Sequence, residues 1–247
     1  MGGDGTSKQR IPLFEHREAT AAALPRILPF ALFMACIALE SGLRWVIDLA
    51  SVAASDHPLL FLWLYPVRTA MVLGTLIFFW PAYRELCGKV WAEWQEALLT
   101  LGVGVLVYLV WVRLAWPWAM QGQAAGYNPW QSGGGTGVIL AGLRLFGAVI
   151  VVPVMEELFW RSFLLRYLVA SPFTSVRLGT FTPFSFGATV ILFGLEHHLW
   201  LAGMLAGGAY AFVLYTTHRL WPCIVAHAIT NLLLGIHVLL TGEWQWW

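Results

Sequence analysis

Residues 138–161 read VILAGLRLFGAVIVVPVMEELFWR: a run of apolar residues broken only by Arg144, leading into adjacent carboxylates, Glu156 and Glu157, and then Arg161. About 20 mostly apolar residues are needed to cross a bilayer, and this stretch is of that kind. Each ionisable group in hydrocarbon costs about 2.5–3.5 kcal/mol by insertion scales, so a cluster of three points to a use. The rest of the chain agrees with a membrane reading. Its 247 residues are 59% hydrophobic and only 11% charged, with mean hydropathy +0.71, whereas a soluble domain carries about 25% charged residues. Further apolar stretches cover 27–47, 59–80, 96–116, 184–200, 201–217 and 221–240. The expected fold class is an all-α polytopic membrane protein, a bundle of about seven to eight transmembrane helices enclosing a polar site. The number turns on residues 157–170, ELFWRSFLLRYLVA, which either extend the helix of 138–155 or form a separate one after Pro153. The continuous helix is preferred, giving seven crossings.

The chain divides into a polar tail at 1–26, apolar helices without a recognisable motif at 27–137, a motif-bearing core at 138–240 and a short Trp-rich tail at 241–247. The first tail is mixed in charge and has no signal-peptide pattern, so a mobile cytoplasmic segment is expected. Lys8, Arg10, Arg17 and Arg26 precede the first span, and Arg84 and Lys89 follow the second, while the connections 48–58 and 117–137 hold neither lysine nor arginine. By the positive-inside rule the N-terminus is cytoplasmic, in an integral protein of the inner (plasma) membrane. The 117–137 connection, with Trp116, Trp118, Trp130 and Gly133-Gly134-Gly135, reads as a flexible interfacial loop with Trp anchors rather than a phosphate cradle. Cys36, Cys87 and Cys223 are too dispersed for a zinc pair or a disulfide framework. No basic tract suggests nucleic acid.

Three short constellations carry chemistry. In Glu156-Glu157-x-x-x-Arg161, helical spacing places Glu157 and Arg161 on one face, where they can pair, and turns Glu156 about 100° away. In Phe193-Gly194-Leu195-Glu196-His197-His198, Phe193 and His197 are spaced to share a helix face, with the ring beneath the imidazole. In His227-Ala228-Ile229-Thr230-Asn231, His227 and Asn231 share another. Each alone has a bland reading: an ion pair at a helix end, an interfacial patch, or polar contacts between helices. Together they supply two carboxylates, two histidines and a carboxamide, a set suited to hydrolysis. A carboxylate can act as general base on water with an imidazole beside it, while a second imidazole and an amide can stabilise an oxyanion.

The order Glu-Glu-x-x-x-Arg, Phe-x-x-x-His, His-x-x-x-Asn on apolar helices resembles the CPBP family, the CAAX-protease and bacteriocin-processing proteins also called type II CAAX prenyl endopeptidases. The resemblance covers about residues 138–240. VVPVMEELFWRSFLLRYL is similar to the family's Pro-x-x-Glu-Glu helix, with Ser162 where a glycine commonly follows the arginine. LFGLEHH is similar to Phe-Gly-x-Ala-His, with Glu196 in the small-residue position. The resemblance implies a glutamate-type intramembrane endopeptidase without a cofactor. Glu156 and His197 would activate water, His227 and Asn231 would stabilise the oxyanion, Glu157 and Arg161 would brace the site, and Phe193 would position His197. Peptide-bond cleavage comes from the resemblance and not from the residues. The implied substrate is a membrane-associated or C-terminally tethered peptide or protein, lipid-modified in part of the family. The alternatives are a non-catalytic scaffold or immunity-type binding protein, and a zinc-dependent protease in which Glu156, His197 and His227 are the ligands. Elsewhere, Glu40 and Arg44 are spaced to pair. Arg68 and Arg144 lie within spans and need partners, structural pairing being the expected use and a substrate-carboxylate site the alternative.

Overall fold

The computed structural model describes residues 12–49, 58–122 and 126–247, and among them every regular element is helical. Helix α1 spans Pro12–Leu49, α2 Pro58–Phe78 and α3 Trp94–Arg113. Helix α4 runs unbroken over Gly134–Tyr167. Helices α5, α6 and α7 follow at Pro183–Leu195, Trp200–Thr217 and Leu220–Thr241. The 157–170 segment is therefore a continuation of α4, not a separate crossing. Among the described residues five helices are long and apolar enough to cross a membrane: Thr20–Ile47, Leu60–Phe78, Trp94–Arg113, Gly134–Tyr167 and Leu220–Thr241.

Of the two remaining rods, α6 coincides with the stretch expected at 201–217, whereas α5 is shorter than the span expected at 184–200. Helix α5 has 13 residues, about 20 Å at 1.5 Å per residue, which is short of a ~30 Å hydrocarbon core. It starts where Thr182 caps it, the hydroxyl accepting from the Ser185 amide, with Pro183 in the first turn. It stops at Leu195, ahead of the polar run Glu196-His197-His198. Helix α6 is rich in small residues; Ala202, Gly203, Ala206, Gly207 and Ala211 are all buried. Such residues let backbones approach closely inside a membrane bundle.

The first helix also begins earlier than the sequence suggested. The stretch set apart as a 1–26 tail is already helical from Pro12, and the helix passes through Pro25 and Pro29. Lys8, Arg10 and the side chain of Arg17 lie outside the described residues, as does most of the 48–58 connection. Pro29 has no N–H to offer the carbonyl four residues back, and the Tyr83 hydroxyl donates to that Pro25 carbonyl at 2.7 Å instead. Arg26, expected to flank the membrane, is buried. It is paired with Glu85 at 2.6 Å.

Helices α3 and α7 run in the same direction: Glu96 faces Arg219, Gly104 abuts Ala226, and Tyr108 meets His237. Gly104 permits this. A Cβ there would stand 2.8 Å from the Ala226 carbonyl oxygen. Helix α4 runs antiparallel to α7, with Leu145 against Gly235 and Glu157 against His227. One end of the bundle gathers the connections after α2, α4 and α6. There Arg219 reaches Glu96 and the Lys89 carbonyl, Trp221 Nε1 donates to the Leu86 carbonyl at 2.9 Å, and Arg166 meets the Val176 carbonyl. The opposite end carries the connections after α3 and α5 and residues 242–247.

Candidate active site

Helix α4 is not uniform. α-Helical geometry over Gly134–Phe146 gives way to a π-helical segment at Gly147–Val151, returns over Val152–Glu157, and widens again at Leu158–Leu164. π-Helical turns are rare and often mark functional sites. Here they flank the six residues that end in the two carboxylates. Both acids are buried, Glu156 at 4% exposure and Glu157 at 0%.

The two acids part as helical spacing requires. Glu157 points into protein, where its Oε1 lies 3.1 Å from Arg161 Nη1 and 3.0 Å from His227 Nδ1. Arg161 also donates to the Gly207 carbonyl at 3.1 Å, and its guanidinium rests over Phe193 and Tyr210 at 4.5 and 5.5 Å. Glu156 instead lines a cavity of about 200 Å³ together with Phe193, His197, His227 and Asn231. Its Oε2 is buried without a hydrogen-bond partner among the described residues, 4.0 Å from His227 Nε2. The cavity beside this carboxylate has room for a water.

The partners are held in defined orientations. His197 Nδ1 lies 2.7 Å from the Phe193 carbonyl. A carbonyl only accepts, so Nδ1 carries the proton, and neutral His197 presents a lone pair at Nε2. Its ring packs at 4.8 Å on Phe193 and edge-on at 5.3 Å to Trp111. His197 is not on a helix face, as its spacing from Phe193 suggested; it lies in the turn after α5. Phe193 positions it by backbone as well as by ring. His227 is stacked on Tyr210, ring centroids 4.9 Å apart and 18° from parallel. Tyr210 is fixed in turn by its hydroxyl, which donates to Thr230 Oγ1 at 2.9 Å, and Thr230 donates to the carbonyls of Gly104 and Ala226. Asn231 Nδ2 donates to the Ala148 carbonyl at 2.7 Å, within the first π-helical segment. The second N–H of that amide remains for a ligand.

Glu196, which stands in the position of a small residue, turns away from the smaller cavity and accepts from Trp160 Nε1 at 3.1 Å. The turn that contains it is gripped from the α3–α4 connection. Gln121 donates to the carbonyls of Leu195 and His197 at 2.7 and 2.9 Å, and its carbonyl meets His198 Nδ1. That connection was expected to be a flexible loop. Its described flanks are instead pinned, Tyr127 donating to the Leu62 carbonyl at 3.0 Å. Residues 123–125 lie outside the described residues.

The seven residues singled out in the sequence thus meet: five line one cavity, and Glu157 and Arg161 stand behind its wall. Sequence reading missed Tyr210, Thr230, Trp111 and Gln121. The first two left a trace, since Tyr210 sits among buried small residues of α6 and Thr230 lies inside the His227–Asn231 motif. Trp111 and Gln121 left none, because they act from a half of the chain without motifs. Among the described residues no group of three or more His, Cys, Asp or Glu side chains is placed to hold a metal ion.

Fold and site together define a polytopic helical membrane protein with a carboxylate–imidazole centre inside the bundle. Residues 139–233 match the family model described as type II CAAX prenyl endopeptidase Rce1-like. Over these 95 of its 247 residues the chain is similar to that family, the resemblance its three motifs suggested. The match begins in α4 and ends two residues past Asn231, so it covers all three motifs and leaves α1 to α3 outside. Comparison with curated proteins and with solved structures finds no match.

Proposed function

We propose that this protein is a glutamate-type intramembrane endopeptidase in which Glu156 and His197 activate water and His227 and Asn231 stabilise the oxyanion. The observation that carries the reading is the convergence of these four side chains, from two helices and a turn, on one cavity. Water held between the free Glu156 oxygen and His197 Nε2 gives a proton to the carboxylate as its oxygen adds to the scissile carbonyl. The charge that develops on that carbonyl oxygen meets the free amide N–H of Asn231 and the ring of His227, which Glu157 holds in place at Nδ1. Glu156 then returns the proton to the leaving nitrogen as the C–N bond breaks, yielding a carboxylate and an amine.

The substrate is a membrane-associated or C-terminally tethered peptide, and the reaction is proposed to run without a metal. The N-terminus is proposed to be cytoplasmic. Arg84, Lys89, Arg177 and Arg219 cluster at one end of the bundle, and by the positive-inside rule that end faces the cytoplasm. The cavities near the site are lined by Tyr127, Gln245 and Trp246 from the opposite end, so the site opens away from the cytoplasm.

The test is comparative peptidomics of membranes holding the wild-type chain or Glu156→Ala. Removing a general base lowers the rate by ~10²–10⁴, so the product peptides should disappear while the variant remains folded. Identical peptide profiles would leave the binding or scaffold alternative standing, and loss of activity on chelation, restored by zinc, would reinstate the metal.

A further inference from the structure

The segment that follows α7 folds back against the hydrolytic centre as a strap over residues 242–247. Its Trp246 and Trp247 line the smaller cavity together with Glu156. With Gln245 they also line an adjoining cavity of about 450 Å³ that shares His197. Trp247 packs on Gly235 of α7, where a Cβ would stand 3.5 Å from its ring, and its ring centroid is 6.3 Å from that of Tyr127. The Arg144 guanidinium of α4, set over the Tyr65 and Tyr127 rings at 4.0 and 5.3 Å, is 6.0 Å from the Trp247 ring. Further along, a Cβ at Gly126 would come within 3.5 Å of the Trp244 carbonyl oxygen. The strap therefore reaches from α7 to α4 and to the α3–α4 connection, across the side where the cavities open.

Its attachment suits movement. Gly242 turns the chain at φ +73°, a conformation that L side chains rarely adopt. Beyond it the amides of Trp244, Trp246 and Trp247 donate to carbonyls of the strap itself, those of Gly242, Glu243 and Trp244. Such a turn can swing as one piece. A polar latch ties it back to α7. The Glu243 carboxylate accepts from His237 Nε2 at 3.0 Å and from Trp246 Nε1 at 3.1 Å. With its proton on Nε2, neutral His237 accepts at Nδ1 from the Tyr108 hydroxyl at 3.1 Å. The side chains of His237 and Glu243 are 23% and 48% exposed, and a pair so open to solvent holds weakly. We propose that residues 242–247 are a gate over the hydrolytic cavity, closed here by the His237–Glu243–Trp246 latch and swinging about Gly242 to admit a peptide and release the products. The gate rests on the reading of the smaller cavity as the place of hydrolysis.

The test locks the strap. A Cβ at Gly126 would stand 3.7 Å from that of Trp244, within the ~3.5–4.5 Å that a disulfide spans. Gly126→Cys with Trp244→Cys is prepared in a Cys36→Ser, Cys87→Ser background and compared oxidised and reduced; Cys223 is buried and stays. Trp244→Cys alone and Glu243→Ala are measured beside it. Access is read without turnover, as the rate at which diethyl pyrocarbonate modifies His197 in micelles. Peptide mass spectrometry follows it, with exposed His218 at the other end of the bundle as internal standard. Oxidation should slow His197 modification at least ~10-fold, as a closed lid does, and cleavage of a peptide substrate by a similar factor. Reduction should restore both, and Glu243→Ala should speed modification several-fold. Equal His197 rates in the oxidised and reduced protein, or cleavage that persists after oxidation, overturn the gate. Should the disulfide not form, an unchanged rate in Glu243→Ala overturns it alone. Modification slowed by oxidation, in a protein that cleaves nothing even when reduced, would keep the gate and reject the protease.

Discussion

The pair formed by Glu157 and Arg161 gives the sharpest quantitative prediction. Its two side chains are 0% and 3% exposed, so replacing Arg161 with methionine strands a carboxylate in the interior. Removing one partner of a buried pair destabilises by about 3–5 kcal/mol, whereas replacing both with apolar groups of similar volume is often neutral or stabilising. Arg161→Met should therefore lower stability by about 3–5 kcal/mol, the loss of its bond to the Gly207 carbonyl being part of that. Glu157→Leu should cost a similar amount, because it leaves the guanidinium unpaired under Phe193 and Tyr210. The double variant should recover most of the stability, giving a coupling energy of several kcal/mol in a double-mutant cycle.

Activity should not follow stability. The double variant lacks the carboxylate that accepts from His227 Nδ1, a bond to a charged group worth about 1.5–3 kcal/mol, so it should turn over roughly 10- to 100-fold more slowly even though it is folded. The assay is reversible unfolding of the purified protein in mixed micelles, with peptide cleavage measured on the same samples. Single variants as stable as wild type, or a double variant that loses the sum of the two singles, would refute the argument.

Two further outcomes follow from the bundle ends. Burial alone would raise the Glu85 carboxyl, but the hydrogen bond and charge of Arg26, with the Ser162 hydroxyl, hold it below the ordinary carboxylate range. A depressed folded value means that the stabilisation is present above the unfolded value of roughly 4.3 and is lost as pH falls through the folded one; Glu85→Gln should be less stable at neutral pH and should flatten this acid limb in thermal melts. For topology, exposed Cys87 should be protected from an impermeant thiol reagent in intact cells, while Gln245→Cys in a Cys87→Ser background should be labelled. The reverse pattern would invert the orientation and move the mouth of the site to the cytoplasm.

What the sequence made legible has a common physical basis. Hydropathy identifies a membrane bundle because a lipid environment averages over many residues. The i, i+4 rule separates Glu156 from Glu157 because both lie on one helix. What it missed depends on contacts far apart in the chain. Nothing local says that Tyr83 will take the Pro25 carbonyl, that Arg26 will be drawn inward by Glu85, or that Gln121 will hold the His197 turn. The end of α5 at Leu195 was also hidden, since an apolar window cannot distinguish a 13-residue helix with a buried polar turn from a full span. Residues 27–137 carry no family motif, yet Tyr65 and Trp111 form walls of the site. Aromatic residues in a span look alike whether they face lipid or a cavity.

The π-helical segments of α4 flank the two carboxylates and carry contacts that fix the site. The first segment holds Ala148, whose carbonyl anchors Asn231. The second holds Arg161, which reaches back to Glu157 and across to Gly207. Between them the six-residue α-helical stretch Val152–Glu157 is gripped at both ends. Its carboxylates are aimed differently because adjacent positions of an α-helix point about 100° apart: Glu157 at His227 and Arg161, Glu156 at the cavity. A buried acid with one oxygen unsatisfied is unstable in isolation, and it persists here because the surrounding bonds over-determine its position. The same logic applies to Arg144, ten positions into the same helix and just ahead of the first π-helical segment, where aromatic faces hold a cation that no carboxylate of the described chain neutralises.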